Sequence, residues 1–191
     1  MLTLRGQAYF SLGDLDMAAR HTSEALQSDP EFAQAKKLHK TVSGIKRLLA
    51  QAKKLMEQGD LGGAMAKFEK IEVDYAPLPR ITHRDLLLDM CRCSGKLKKR
   101  EWVYKTCIAS MQLDESWLDV RIAFAEILRD LADSTEELEE VVREWKKAMN
   151  LDQQNGHIHD QLRRAEAALK QSRTKNYYKI LNVKRTATAG R

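Results

Sequence analysis

The side chains best suited to take part in chemistry in this 191-residue chain are its three cysteines: Cys91, Cys93 and Cys107. A Cys-X-Cys pair with a third cysteine downstream could bind a metal ion, take part in redox exchange or form a disulfide. No fourth cysteine or nearby histidine completes a set of metal ligands, so we expect no metal site. On a helix, Cys93 would point about 200° away from Cys91, and the two would have different neighbours.

Other candidate metal-binding or catalytic residues are less convincing. His157 and His159 flank Ile158 at the start of a predicted helix, and side chains two residues apart do not share a helical face. We therefore interpret both histidines as solvent-exposed rather than metal-binding. We find no Ser-His-Asp or Cys-His arrangement, phosphate-binding loop or paired carboxylates. The sequence predicts no catalytic residues, no cofactor and no enzyme activity.

A net charge of +6 raises the question of nucleic-acid binding. The densest basic segment is a short predicted turn, which contains Lys96, Lys98, Lys99 and Arg100. Aromatic residues do not alternate with these cations, and acidic residues are spread along the chain. The segment is therefore interpreted as a solvated turn, and no nucleic-acid partner is expected.

The elements that must position the cysteines are helical. With 3 prolines, 9 glycines, 6% aromatic and 31% charged residues, the composition suits an all-α protein. Apolar residues recur at helical intervals, and no apolar run reaches the roughly 18 residues of a membrane span. We expect no membrane span.

The first helical unit has a spacing that returns along the chain. Its signature residues are Gly6, Tyr9, Gly13, Ala18, Ala25 and Pro30. The small residues Gly6 and Ala18 let two antiparallel helices approach. Gly13 ends the first helix and Pro30 ends the second. The unit resembles a tetratricopeptide repeat (TPR), a helical hairpin of about 34 residues. The resemblance implies an array that binds other proteins.

Three further units keep the same register. The second matches at Ala52, Leu55, Gly59, Ala64 and Phe68, the third at Cys91, Val103 and Cys107, and the fourth at Ala125, Leu128, Val141, Trp145 and Ala148. The second unit begins late, which predicts a first helix about three turns longer than usual, with Gly44 as its weak point. The APLPR stretch is a predicted loop, since it contains Pro77 and Pro79. The STEE stretch is expected to lengthen a turn, and Ser134 with Glu137 has the spacing of a capping box.

The predicted fold is a solenoid of about four TPR hairpins, closed by a capping helix. The repeats would cover residues 1–155, divided at about 1–32, 33–76, 80–115 and 116–155. Residues 156–174 would form the capping or linker helix, in which Ile158, Leu162, Ala165 and Leu169 form an apolar stripe. Because Met1 falls inside the first repeat, we expect the chain to be part of a longer protein.

The segment KNYYKILNVKR after this helix resembles the start of a DnaJ-type J domain. The matching residues are Tyr177, Tyr178, Lys179, Ile180, Leu181 and Val183. Residues 175–191 would then be the truncated beginning of that domain. The His-Pro-Asp tripeptide with which J domains stimulate Hsp70 does not occur in that segment, so this chain alone is not expected to activate Hsp70.

Together the repeats and this segment resemble the TPR-containing J-proteins of the endoplasmic reticulum, which are co-chaperones also described as inhibitors of the kinases of eIF2α. The resemblance implies a lumenal protein that holds misfolded clients and recruits the lumenal Hsp70. Clients are expected on the apolar faces of the first helices of the repeats.

The register also suggests a partner for one cysteine. Cys91 and Cys107 fall at positions on facing sides of one hairpin, so we predict a disulfide between them and a free Cys93. Closing a loop of this size with a disulfide would stabilise the folded state by about 3 kcal/mol. Three reduced cysteines that pack as small apolar residues are the alternative.

A cytosolic repeat J-protein, or an adaptor that binds a partner such as an eIF2α kinase, is the competing function. Adaptors that grip acidic tails resemble one another in a clamp of cations and amides on the first helices. The corresponding positions hold Thr3, Gln7, Ala50, Asp85 and Asp89 here, and acids at those places argue against that clamp.

Overall fold

A computed structural model describes the backbone of residues 1–180 and the side chains of residues 1–174. The described part is all-α and has nine helices: α1 (Leu2–Ser11), α2 (Leu15–Ser28), α3 (Ala33–Glu57), α4 (Leu61–Asp74), α5 (Arg80–Lys96), α6 (Arg100–Leu113), α7 (Leu118–Leu131), α8 (Thr135–Leu151) and α9 (Gly156–Ile180). The chain divides into two compact units, Met1–Glu115 and Ser116–Arg191. The repeat boundaries proposed from the sequence are finer than this division.

The first unit contains three helical hairpins, α1–α2, α3–α4 and α5–α6. The turns of the first two hairpins have the same design. Gly13 and Gly59 take positive φ angles of 79° and 83°, which glycine adopts without a steric cost. Asp14 and Asp60 follow them and cap the next helix by accepting a hydrogen bond from a backbone N–H, at 2.9 and 2.8 Å.

The α5–α6 turn is built differently. Lys98 takes the place of the glycine with a φ of 55°, and Lys99 at the N-cap provides no side-chain acceptor. A left-handed conformation at a residue with a Cβ is unfavourable. The third hairpin therefore lacks both the glycine with a positive φ angle and the aspartate N-cap that the first two turns share.

Helix α3 confirms the predicted extension, with 25 residues against 14 in α2 and α4. Its buried residues include Val42, Ile45 and Leu48, at helical spacing. Helix α3 packs against both α2 and α4 and thereby joins the first two hairpins. The loop predicted in APLPR is also confirmed, since α4 ends at Asp74 and α5 begins at Arg80, after Pro79 at the N-cap.

The second unit contains the α7–α8 hairpin and α9, which packs against α8. Ser134 and Glu137 form the predicted capping box at the start of α8. The expectation that STEE lengthens a turn is wrong, because Thr135, Glu136 and Glu137 form the first turn of α8 instead. Acidic residues are favourable there, next to the positive end of the helix dipole.

The apolar stripe predicted in the last helix faces α8. Ile158, Leu162 and Ala165 are buried, and Leu169 is half-buried. Trp145 of α8 is completely buried in the same unit. Within the described residues, no helix is both long enough and apolar enough to span a membrane.

Candidate functional site

The α5–α6 hairpin brings two of the three cysteines together. Cys91 lies on α5 and Cys107 on α6, both side chains are fully buried, and a disulfide joins them with a Cα–Cα distance of 5.1 Å. Small buried side chains at these facing positions allow the two helices to approach closely enough for the bridge. The oxidised state of the pair in solution stays a prediction.

Cys93 lies on another side of α5, as its spacing from Cys91 predicts. It is a free, buried thiol, and its Sγ donates a weak hydrogen bond to the carbonyl oxygen of Leu61 at 3.4 Å. Burial raises the pKa of the Cys93 thiol, with a smaller opposing effect from Lys96. Since the thiolate is the reactive form, Cys93 is a poor nucleophile.

Polar contacts hold the far end of the same hairpin together. The Ser110 hydroxyl donates to the backbone carbonyl of Arg84 at 3.0 Å. The Arg84 guanidinium donates to Asp114 at 2.9 Å, and the Arg80 guanidinium donates to the carbonyl of Leu113. These bonds fix α5 relative to α6 at the end away from the α5–α6 turn.

A cleft of 570 Å³ lies beside this hairpin, and we call it the α4–α6 cleft. Its lining comes from three helices and is largely apolar: Met65 and Val73 of α4, Leu87 and Met90 of α5, and Trp102 and Ala109 of α6. Met65, Leu87 and Met90 are buried and form the floor, whereas Val73 is 79% exposed at the rim. Volume and lining are typical of a site that binds an apolar group.

Charged side chains surround the α4–α6 cleft. At one end the His83 Nε2 atom lies 3.1 Å from the Glu72 Oε1 atom, which links α5 to α4. On the α6 side, the Lys99 Nζ atom lies 4.2 Å from the centre of the Trp102 ring, a cation–π contact that orients the indole. Glu69 and Lys105 complete a rim of mixed charge.

The cleft differs from the surface expected for clients. The sequence indicated the first helices of the repeats, but here a first helix, α5, supplies only part of the floor. The walls come from the second helices α4 and α6. No sequence motif marked Val73 or Trp102 as part of a binding site. The one signal was that the apolar Val73 stands between two acidic residues.

Acidic residues occupy the clamp positions on α5. Asp85 accepts from the Arg84 guanidinium at 2.9 Å. Asp89 lies 3.9 Å from Lys53 of α3 and 4.0 Å from Arg92. Burial raises the pKa of Asp89, although both cations oppose this effect and Asp85 reinforces it. A negatively charged ligand would be repelled at this place.

Both histidines of the last helix are exposed, as predicted. The His157 ring meets Trp145 edge-on, with ring centres 6.1 Å apart, and its Nε2 atom lies 3.4 Å from Glu126. The His159 Nε2 atom pairs with the carbonyl of Gln153 at 2.8 Å. No group of three potential metal ligands occurs among the residues that the structure describes.

The basic segment forms the α5–α6 turn. Lys96 ends α5, Arg100 begins α6, and the side chains of Lys96, Lys98 and Lys99 are exposed.

The J-domain-like segment lies at the limit of the described chain. Tyr177, Tyr178, Lys179 and Ile180 belong to the backbone of α9, and their side chains are outside the described residues. Leu181 and Val183 are also outside them. The proposed assignment of these six residues therefore depends on sequence alone.

Paired helices, glycine turns and the shared register define a TPR protein. The structure superimposes on the TPR domain of P58(IPK) with a TM-score of 0.75 at 20% identity, over 90% of this chain and 46% of that one. This likeness confirms the fold. No family model matches the sequence.

The curated relatives of the chain carry DnaJ names. The chain is 32% identical over 98% of its length to the DnaJ protein P58IPK homolog B of Oryza sativa, and 31% identical over 98% to the DnaJ homolog subfamily C member 7 homolog of Schizosaccharomyces pombe. It spans 39% and 38% of these relatives. The chain is thus similar, over nearly all its residues, to part of these DnaJ proteins.

Proposed function

We propose that the chain is the client-holding part of a J-protein co-chaperone of the endoplasmic reticulum lumen. The observation that carries the proposal is the similarity to DnaJ proteins of the P58IPK type over nearly the whole chain. A J domain beginning near residue 175 would recruit the lumenal Hsp70, and the repeats would set its distance from the bound client. The Cys91–Cys107 pair supports an oxidising compartment, where disulfides persist.

The α4–α6 cleft is the proposed client site. Unfolded proteins expose apolar side chains, and the cleft offers an apolar floor with an exposed apolar residue, Val73, at its entrance. Methionine side chains adapt to ligands of different shape, and Met65 and Met90 lie in the floor. The half-buried Trp102 gives a large flat contact surface. Such a lining suits many apolar sequences rather than one.

The rim limits what can enter the cleft. Glu69 and Glu72 stand on the α4 side and Lys105 on the α6 side. A peptide backbone with polar flanking residues can be solvated at this rim, while an apolar side chain enters the floor. The proposed ligand is therefore a short apolar segment within a polar chain.

The test is suppression of aggregation of heat-denatured citrate synthase, followed by light scattering. Val73→Gln places an amide at the mouth of the cleft and alters an exposed side chain, so the fold should persist. The matched control is Ile108→Gln, because Ile108 is 41% exposed on α6 and does not line the cleft. We expect Val73→Gln to suppress scattering less than the wild type and Ile108→Gln to suppress it equally.

Two outcomes contradict this proposal at different levels. Equal suppression by wild type and Val73→Gln removes the cleft as the client site. An absence of suppression by the wild-type chain removes client holding by these repeats.

A second candidate is a cytosolic repeat J-protein or an adaptor, with an eIF2α kinase as one partner to test. It is kept because the relatives carry different group names, and the fission-yeast relative is named as a homolog of subfamily C member 7 rather than of P58IPK. Microscopy of the tagged full-length protein separates the two candidates by compartment. A cytosolic signal removes the lumenal proposal.

A further inference from the structure

A groove of 690 Å³ runs between α8 and α9 in the second unit. Val142 and Leu169 give it an apolar lining; Val142 is buried and Leu169 half-buried. Its charged lining residues are Glu139, Arg143 and Lys146 on α8, and Glu166, Lys170 and Arg173 on α9. The groove thus has four cations and two carboxylates. We call it the α8–α9 groove.

These charges form three rungs across the groove. On each helix they are spaced by four and three residues, so they share one face. Glu139 pairs with Arg173 at 2.7 Å, and Lys146 pairs with Glu166 at 3.4 Å. The two ion pairs show that α8 and α9 run antiparallel here, which puts Arg143 and Lys170 in the rung between them.

The central rung differs from the outer two because both of its members are cations. Neither Arg143 nor Lys170 forms an ion pair with any residue that the structure describes. Two like charges on facing walls repel each other, and an anion between them would relieve the repulsion. The outer pairs fix the walls on either side of that position.

We propose that the α8–α9 groove binds an acidic peptide segment, with a carboxylate between Arg143 and Lys170. Arginine offers a planar fork of donors that matches a carboxylate, and lysine adds a second charge. The apolar lining would contact a neighbouring aliphatic side chain of the same peptide. The partner is therefore an acidic and amphipathic protein segment, and this site is independent of the α4–α6 cleft.

The test uses fluorescence anisotropy with the labelled peptide LEELEEL and its uncharged counterpart LQQLQQL at about 50 mM salt. The Arg143→Gln/Lys170→Gln variant removes the central rung. We expect it to bind LEELEEL about threefold to tenfold more weakly than the wild type, since two exposed charge contacts are lost. The matched control Arg164→Gln/Lys37→Gln removes the same charges at exposed positions outside the groove and is expected to retain binding.

A second variant tests the position of the carboxylate. Lys170→Glu places a carboxylate opposite Arg143, and we expect it to abolish peptide binding while raising the midpoint of thermal unfolding. Circular dichroism verifies that each variant keeps its helix content.

Several outcomes would overturn the proposal. These are equal binding of LEELEEL and LQQLQQL by the wild type, no binding of LEELEEL by the wild type, and equal losses in both double variants. A fourth is tighter binding of a single-stranded oligonucleotide that also depends on Arg143 and Lys170, which would make nucleic acid the partner.

Discussion

The phenol of Tyr75 occupies the space that a side chain at position 44 would need. Gly44 lies in the middle of α3, and a Cβ added to it would overlap the Tyr75 hydroxyl oxygen. Tyr75 is the C-cap residue of α4. The close approach of α3 and the end of α4 therefore requires glycine at this position, although glycine weakens a helix interior by about 1 kcal/mol relative to alanine.

Gly44→Ala is expected to destabilise the protein by about 1–2 kcal/mol, because Tyr75 must leave its packed position. Helix propensity alone predicts the opposite sign. Urea unfolding followed by circular dichroism measures the change. Adding Tyr75→Phe, which removes the overlapping hydroxyl, should recover part of the loss, and a gain in stability from Gly44→Ala alone would contradict the packing argument.

Lys98→Gly is expected to stabilise the protein by up to about 1 kcal/mol, because it removes a left-handed residue that carries a Cβ. Lys98 takes the position that Gly13 and Gly59 take in the other two turns. Lys96→Gly provides the control: Lys96 is the last residue of α5, so glycine there should lower stability or leave it unchanged. The midpoint of thermal unfolding is the measurement, and a fall for Lys98→Gly would show that the turn gains nothing from glycine.

One reduced thiol is expected after equilibration in a glutathione buffer poised near about −200 mV, which approximates the lumen. The protein is quenched, alkylated in denaturant and weighed by mass spectrometry, and peptide mapping should place the label on Cys93. Alkylation without denaturant should leave Cys93 largely unmodified, because it is buried and burial raises its thiol pKa. Three labelled cysteines would remove the bridge and favour the cytosolic candidate.

Asp89→Asn is expected to change how stability depends on pH. Burial raises the pKa of Asp89 above its usual value of 3.8, so the folded state binds the proton more tightly than the unfolded state. Asp89 therefore contributes to folding stability at pH values below its pKa in the unfolded state. This contribution is lost as the pH rises through its pKa in the folded state. The amide that replaces the carboxyl group does not ionise in this range, so the variant should gain stability relative to the wild type as pH increases.

Urea midpoints measured from acid to neutral pH test this sign. Asp160→Asn, at an exposed position in the second unit, serves as the control and should follow the wild-type profile. If Asp89→Asn lowers stability more at neutral pH than in acid, the attraction of Lys53 and Arg92 for the carboxylate outweighs its burial.

Local signals made several elements predictable. The late start of the second repeat predicts the length of α3, and Ser134 with Glu137 predicts the start of α8. Each of these features depends on residues close together in the chain. The facing positions of Cys91 and Cys107 follow from a single hairpin with a known register.

Features that depend on packing between hairpins or helices were not predictable. The role of Gly44 depends on where Tyr75 lies after α4 folds back onto α3. The α4–α6 cleft requires three helices at a specific separation, and Val73 alone does not indicate it. Arg143 and Lys170 face each other across the groove only because α8 and α9 run antiparallel in this register.

The Cys91–Cys107 bridge also determines how the first unit would carry mechanical load. If the two ends of the chain are pulled apart, tension reaching Cys91 crosses to Cys107 through the sulfur atoms. Residues 92–106 would then bear no force, including the α5–α6 turn, which lacks the glycine of its neighbours. The part of this hairpin with the least favourable turn would thus be shielded from a pull along the chain.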